Sequence, residues 1–135
     1  MEIKVKLPGG KKVNAEFNGF TVNTDQSVEN GGQGTAPEPF SLFLASLATC
    51  AGVYVNGFCQ NRGISTENIE LTQNHEFAEK DGKMSLSKVI IDIKVPADFP
   101  EKYLDSLIRV ANMCTVKRTL LNPPEFEIQT EVKNS

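Results

Sequence analysis

The sequence predicts an α+β fold, a largely antiparallel sheet wrapped on one long helix, and three observations carry that prediction. Residues 39–63, PFSLFLASLATCAGVYVNGFCQNRG, are apolar or small on every side until Arg62, the pattern of a helix buried through the middle of a protein. Segments of strand-period alternation lie on both sides of it. Turn residues separate those segments, so consecutive strands are expected to pair as hairpins. The predicted order is βββ–α–ββ–αα–β within one domain spanning residues 1–135.

Residues 2–7, EIKVKL, alternate as a half-buried strand. Pro8-Gly9-Gly10 turns the chain into a second strand over 12–17, and Asn18-Gly19 turns it again into a short third strand over 20–23. The polar, glycine-rich stretch 27–39 is expected to wrap the surface. In the long helix, Phe40, Phe43, Leu44, Leu47, Ala51, Tyr54, Val55 and Phe58 share one arc. Thr35 or Ser41 is the expected cap, Pro37 or Pro39 lies near the first turn, and Gly63 is the stop. A strand within 64–78 and another over 84–95 flank Asp81-Gly82, and a slip in alternation near Lys88–Val89 hints at a bulge. Residues 99–112 read as a second helix capped by Asp98, with Tyr103, Leu104, Leu107, Ile108 and Ala111 as its apolar stripe. Cys114 or Thr115 begins a short third helix that Pro123-Pro124 close, and residues 125–132, EFEIQTEV, read as a last strand. One chain of this size would struggle to cover both faces of so apolar a helix, whereas a symmetric dimer would do so readily.

Composition narrows the function classes. Charged residues are 23% and hydrophobic ones 39%, ordinary for a globular protein, and a net charge of −3 gives no electrostatic reason for a nucleic-acid or anionic-membrane partner. MEIKVKLPGG does not read as a signal peptide, and the apolar run within 42–55, broken by Ser46 and Thr49, reads as too short for a membrane span. Three cysteines, an odd number without an export signal, fit a reducing cytoplasm. No cofactor is called for, and three cysteines and one histidine have none of the spacings that build a metal site.

Cys50 lies near the middle of the long helix and reads either as a small buried hydrophobe or as a reactive thiol. Cys59 is nine residues on and so on the opposite helix face, where it reads as a packed core thiol; any thiol partner of Cys50 would have to come from elsewhere in the chain. Cys114 lies where a helix begins, with Lys117 and Arg118 within about a turn, an electropositive setting that lowers a thiol pKa. Lys117 and Arg118 read equally as an exposed helix rim. His75 reads as a solvent-facing strand residue, Tyr54 and Tyr103 as core, and the Gly31–Gly34 loop as a poor phosphate cradle, since no Lys-Ser/Thr follows it.

The helix segment Pro-Phe-Ser-Leu-Phe-Leu-Ala-Ser-Leu-Ala-Thr-Cys at 39–50, followed 64 residues after Cys50 by Cys-Thr-Val-Lys-Arg-Thr-Leu, resembles the OsmC/Ohr family, the osmotically inducible protein C and organic hydroperoxide resistance proteins. The resemblance extends over nearly the whole chain and implies an OsmC-like fold: a curved antiparallel sheet around a long central helix, in an intertwined homodimer. It implies that Cys50 attacks a peroxide as thiolate and that Cys114 resolves the sulfenic acid to a disulfide, which a dithiol reductant reopens. In the family an arginine from the N-terminal region holds the thiolate, and a glutamate at the mouth of the helix holds that arginine. Here Phe40 stands at the glutamate position, Glu38 could substitute only if the start of the helix bends, and Lys11 and Lys12 stand where the arginine is expected. The proline that follows the family's second cysteine is Thr115 here. Arg118 is a further candidate for positive charge beside Cys50. The expected activity is reduction of small apolar organic hydroperoxides in a stress response, with Phe40, Phe43 and Leu47 lining the approach. The alternative is a non-enzymatic small-molecule binder on the same fold, which the missing arginine and glutamate favour.

Overall fold

The structure, a computed structural model, describes residues 1–134. It is α+β, with antiparallel strand pairing throughout, in two compact units, Met1–Ser46 and Leu47–Ser135.

The first unit holds a three-stranded meander of β1 (Lys4–Gly9), β2 (Lys12–Phe17) and β3 (Phe20–Thr24). Asn18 and Gly19, at φ 50° and 80°, make the tight turn between β2 and β3 that the Asn-Gly pair predicts. The loop that follows is organised from inside. Asp25 is buried, and one carboxylate oxygen accepts from the Thr35 N–H at 3.1 Å and the Thr35 hydroxyl at 2.7 Å, while the other accepts from the Gln26 N–H at 2.7 Å. These bonds, the Thr35 hydroxyl foremost, hold the Asp25 carboxyl down at about 2. Gly32 passes so close to the Gln26 carbonyl that any Cβ there would collide with it. Thr35 is therefore a partner of Asp25 rather than a helix cap.

The long helix, α1 (Pro39–Asn61), starts one turn later than a Thr35 cap implies and two residues before Ser41. The Glu38 carbonyl accepts the Leu42 N–H, and Pro39 occupies the first helical position, where its missing N–H costs nothing. Gly63, at φ 66°, follows the last turn as the sequence predicts. By length and composition alone α1 is long and apolar enough to cross a membrane, which a reading confined to 42–55 missed; the core helix of a globular fold has the same character.

In the second unit, β4 (Glu70–Lys80) and β5 (Lys83–Lys94) form a hairpin through Asp81-Gly82, both at positive φ. Register slips between Glu76 and Phe77, which pair with Lys88 and Leu86; Ser87 is the extra residue, its hydroxyl bonding the Glu76 carbonyl, one position from the bulge expected near Lys88–Val89. Val55, Phe58 and Cys59 of α1 pack with Phe99 and Leu107 as the buried core, and Ile69, Leu71, Ile93 and Val95 close around it. The Tyr103 ring meets Phe58 edge-on at 5.4 Å.

Two expectations are corrected. The helix expected over 99–112 with Asp98 as cap is a 3₁₀ turn, Glu101–Tyr103, followed by α2 (Leu104–Ala111). Pro100 keeps the residue before it out of helical conformation, so Phe99 goes into the core instead of a first turn. The last strand expected over 125–132 forms no ladder: Phe126, Ile128 and Val132 are 85%, 95% and 93% exposed. The alternation is there, but among the described residues no strand of the same chain pairs with it.

The sign of the Asp25 shift gives a test. Its carboxyl is depressed below the unfolded value of about 4, so its stabilising effect is complete above that pH and disappears as pH falls toward 2. Asp25→Asn is expected to lower the urea midpoint at pH 7, and the gap to wild type should close between about pH 4 and pH 2. A gap that stays constant to pH 2 counts against the carboxylate's role.

Candidate functional site

α3 (Thr115–Leu121) follows α2 after a short break, and Cys114 immediately precedes its first turn. The N–H groups of a first helical turn have no acceptor within the helix. Those of Thr115 and Val116 point at the sulfur of Cys50, which α1 presents from its middle. The thiol of Cys114 acts on Cys50 as well, so two cysteines 64 residues apart in sequence are neighbours in the fold.

Cys50 is half-buried and Cys114 is buried, and the two thiols shift in opposite directions. Burial pushes Cys50 up, but the Cys114 thiol, the Val116 and Thr115 N–H groups and the charge of Arg118 outweigh it and hold Cys50 below the ordinary thiol range. Burial pushes Cys114 up, and donating to Cys50 beside its negative charge pushes it further. The helix start alone places a lowered pKa at Cys114, while the family resemblance places the thiolate at Cys50; in the structure N–H groups of α3 act on both sulfurs, but at Cys114 burial and donation to Cys50 outweigh them, and only Cys50 is lowered. The surroundings thus favour the thiolate form at Cys50 and the neutral form at Cys114.

Thr115 contributes twice. A proline there would have no N–H to offer, and the Thr115 hydroxyl lies 3.1 Å from that of Tyr54, one turn beyond Cys50 on α1. Tyr54, which reads as core in the sequence, is instead a half-buried tether between α1 and the start of α3. Nothing in its spacing distinguishes it from a packing tyrosine, and only the fold reveals its partner.

Among the supporting residues expected from the sequence, Arg118 acts on the Cys50 charge. Lys117 does not act on that charge: its Nζ bonds the Asn112 side chain, and its N–H faces Cys114. Glu38, Phe40, Lys11 and Lys12 belong to the first unit. There the Glu38 carboxylate accepts from Asn30 at 2.8 Å, Phe40 stacks on Phe43 at 5.7 Å, and Lys11 and Lys12 line a shallow concavity with Gln26 and Asn30. His75 is half-buried rather than solvent-facing, its Nε2 2.7 Å from the Gln73 side-chain amide. Cys59 is fully buried, and burial pushes its thiol up. Among the described residues no three His, Cys, Asp or Glu side chains converge to hold a metal.

A cavity of about 630 Å³ opens beside Cys114. Leu47 and Ala51 of α1, Val89 and Ile91 of β5, and Leu104 and Ile108 of α2 make its walls apolar, with Lys88 and Lys117 at its polar margin. Leu47 is the one member of the expected Phe40–Phe43–Leu47 approach that lines it.

Alkylation of the reduced protein is expected to modify Cys50 before Cys114, with a pH midpoint below that of a free thiol. Tyr54→Phe and Arg118→Gln should each move that midpoint upward, by a few tenths to one unit if each loses about 0.5–1.4 kcal/mol of thiolate stabilisation. Mass mapping of the modified cysteine against pH checks this.

The sequence profile of the OsmC-like protein family matches residues 32–129. No curated protein sequence is significantly similar to the chain. Among solved structures, one from Psychrobacter arcticus 273-4, named for an osmotic stress induced and detoxification response, superposes with a TM-score of 0.73 at 23% identity over 87% of this chain and 85% of that one. The organic hydroperoxide resistance protein OsmC of Legionella pneumophila gives 0.62 at 19% identity over 89% of each chain. A Vibrio cholerae protein named for organic hydroperoxide resistance, with captopril bound in one of its active sites, gives 0.62 at 19% identity over 91% of this chain and 86% of that one. Similarity at these identities establishes a shared fold, while the profile match covers well over half of the sequence: the chain is a member of the OsmC-like protein family.

Proposed function

We propose that this protein is a thiol-dependent organic hydroperoxide reductase of the stress response, with Cys50 as nucleophile and Cys114 as resolving thiol. The observation that carries the reading is the pairing of two neighbouring thiols driven in opposite directions, one toward thiolate and one away from it. Membership of the OsmC-like family supports a redox role in stress, and the names of the Legionella and Vibrio proteins point to organic hydroperoxides.

The Cys50 thiolate attacks the terminal oxygen of ROOH; the O–O bond breaks, sulfur is oxidised to the sulfenic acid, and RO⁻ takes a proton to leave as alcohol. Cys114, as thiolate, attacks the Cys50 sulfur, the S–O bond breaks, and water leaves as the disulfide forms. A dithiol reductant then reopens the disulfide by two exchanges and is itself oxidised. The raised pKa of Cys114 suits the order of events, since it keeps the resolving thiol protonated while it stabilises the Cys50 charge. Once the sulfenic acid has formed, that charge is gone and the ionisation of Cys114 is easier. The apolar cavity beside Cys114 supports a small apolar R group over hydrogen peroxide. No cofactor takes part in this cycle, and the odd cysteine count fits the cytoplasm.

Purified protein with a dithiol should consume an organic hydroperoxide faster than hydrogen peroxide. Cys50→Ser should abolish turnover, and Cys114→Ser should leave a single-turnover burst of alcohol without steady-state activity. Equal steady-state turnover by Cys50→Ser overturns the reading.

The second reading, a small-molecule binder without efficient turnover, is favoured by the absence of any arginine before Arg62 and by Phe40 at the family's glutamate position. Captopril in an active site of the Vibrio cholerae protein is compatible with it. A Cys50 alkylation midpoint at or above that of free cysteine would select this reading.

A homodimer is part of the same proposal. Val53 is 68% exposed near the middle of an apolar helix, and only 28% of the best apolar window of α1 is buried within one chain. A second copy would cover that face, and an unpaired, alternating segment at 125–132 would find a strand partner there. Sedimentation equilibrium at micromolar concentration should give twice the chain mass, and Val53→Glu should shift the species toward monomer.

A further inference from the structure

A second cleft, of about 370 Å³, lies between the later half of α1 and α2, and it gathers two of the three arginines of the chain. Arg62 and Arg109 line it with Asn61, Ser106, Gly57 and Tyr54. Arginine stays charged at every accessible pH, and its planar fork pairs with carboxylate and phosphate oxygens. Both guanidinium groups nevertheless lack an acidic partner: among the described residues the ion pairs are Lys4–Glu2 and Lys6–Glu16, and Arg109 does not pair with Asp105 one turn before it. In a chain with 17 acidic side chains and 14 basic ones, two unpaired arginines in one concavity are not explained by charge balance.

Arg62 is also held in place. Its guanidinium lies 3.7 Å from the centre of the Phe58 ring, stands 5.5 Å from that of Tyr103, and donates to the Phe58 carbonyl at 3.3 Å. Stacking and one backbone bond occupy the face and a single donor of the group and leave the rest of its five donors available. The fixed arginine needs no further ordering when a ligand arrives, which lowers the entropic cost of binding. Asn61 and Ser106 add uncharged hydrogen-bonding groups.

We infer that this cleft is a binding site for the oxyanionic head group, carboxylate or phosphate, of a small molecule. The inference goes beyond the thiol chemistry proposed above and does not depend on it. The site also has a direction. Asn61, Gly57 and Tyr54 follow one another along α1 over about 10 Å. Tyr54, at the far end, shares its hydroxyl with Thr115 at the thiol pair.

The test is a titration of the full-length reduced protein, without peroxide, with inorganic phosphate and separately with succinate, at ionic strength held constant with chloride. It is followed by amide and guanidinium NMR shifts. Saturable shifts confined to Gly57, Asn61, Arg62, Ser106 and Arg109 are expected. Saturation by phosphate alone identifies a phosphate-bearing ligand, by succinate alone a carboxylate, and by both a general oxyanion site. Arg109→Gln, which leaves the Arg62–Phe58 stack in place, should weaken binding at least fivefold; Arg62→Lys, which keeps the charge and loses the fork, should weaken it less. The inference is overturned by absence of saturation with both anions, by shifts that chloride reproduces, or by unchanged affinity in Arg109→Gln. Because no turnover is read, failure of the peroxidase proposal would leave this result intact.

Discussion

The constraint on which the site depends is that the first turn of α3 must place its unpaired N–H groups against a sulfur from the middle of α1. Every unusual property of the two cysteines follows from that one apposition. Cys50 gains two backbone donors, a neighbouring thiol and the charge of Arg118, and these outweigh the penalty of partial burial. Cys114 is the residue that ends the break between α2 and α3, so the backbone that delivers the donors also delivers the second sulfur. Its deeper burial, and its role as a donor to a negative neighbour, keep it protonated. The division of labour between two chemically identical groups therefore comes from their surroundings.

The apposition has its own supports. Leu107 anchors α2 into the core formed by Val55, Phe58, Cys59 and Phe99, which sets the helix pair from which α3 departs. Tyr54 and Thr115 add a hydroxyl contact one turn beyond Cys50. Thr115 is the position where this sequence departs from the family's proline, and the departure supplies an N–H as well as a hydroxyl. A positive charge acting on Cys50 comes from Arg118, within the second unit itself.

Much of the architecture was legible because its signals are local. Asn18-Gly19 and Asp81-Gly82 each specify a backbone conformation that few other pairs accept, and the strands on either side follow. The length and apolarity of α1 are written directly into residues 39–61. Legibility failed where the decisive partner is distant or competes with a local signal. Thr35 has the chemistry of a helix cap, but the buried Asp25 ten residues earlier claims it. Residues 125–132 alternate correctly, yet a strand exists only where an edge accepts it. At the cysteines, the sequence locates an electropositive helix start but does not say at which sulfur its donors point. That is a matter of tertiary placement, and here the donors reach the far cysteine as well as the near one.

α3 has seven residues, too few to be stable as an isolated helix. Its opening N–H groups act on Cys50, and a negative sulfur is the stronger acceptor for them. Protonation, alkylation or oxidation of Cys50 each withdraws that charge and leaves the donors with a weaker acceptor. The order of this short segment is consequently tied to the chemical state of a residue on another helix, and exchange of the Thr115 and Val116 amides with solvent becomes a readout of what has happened to the thiol.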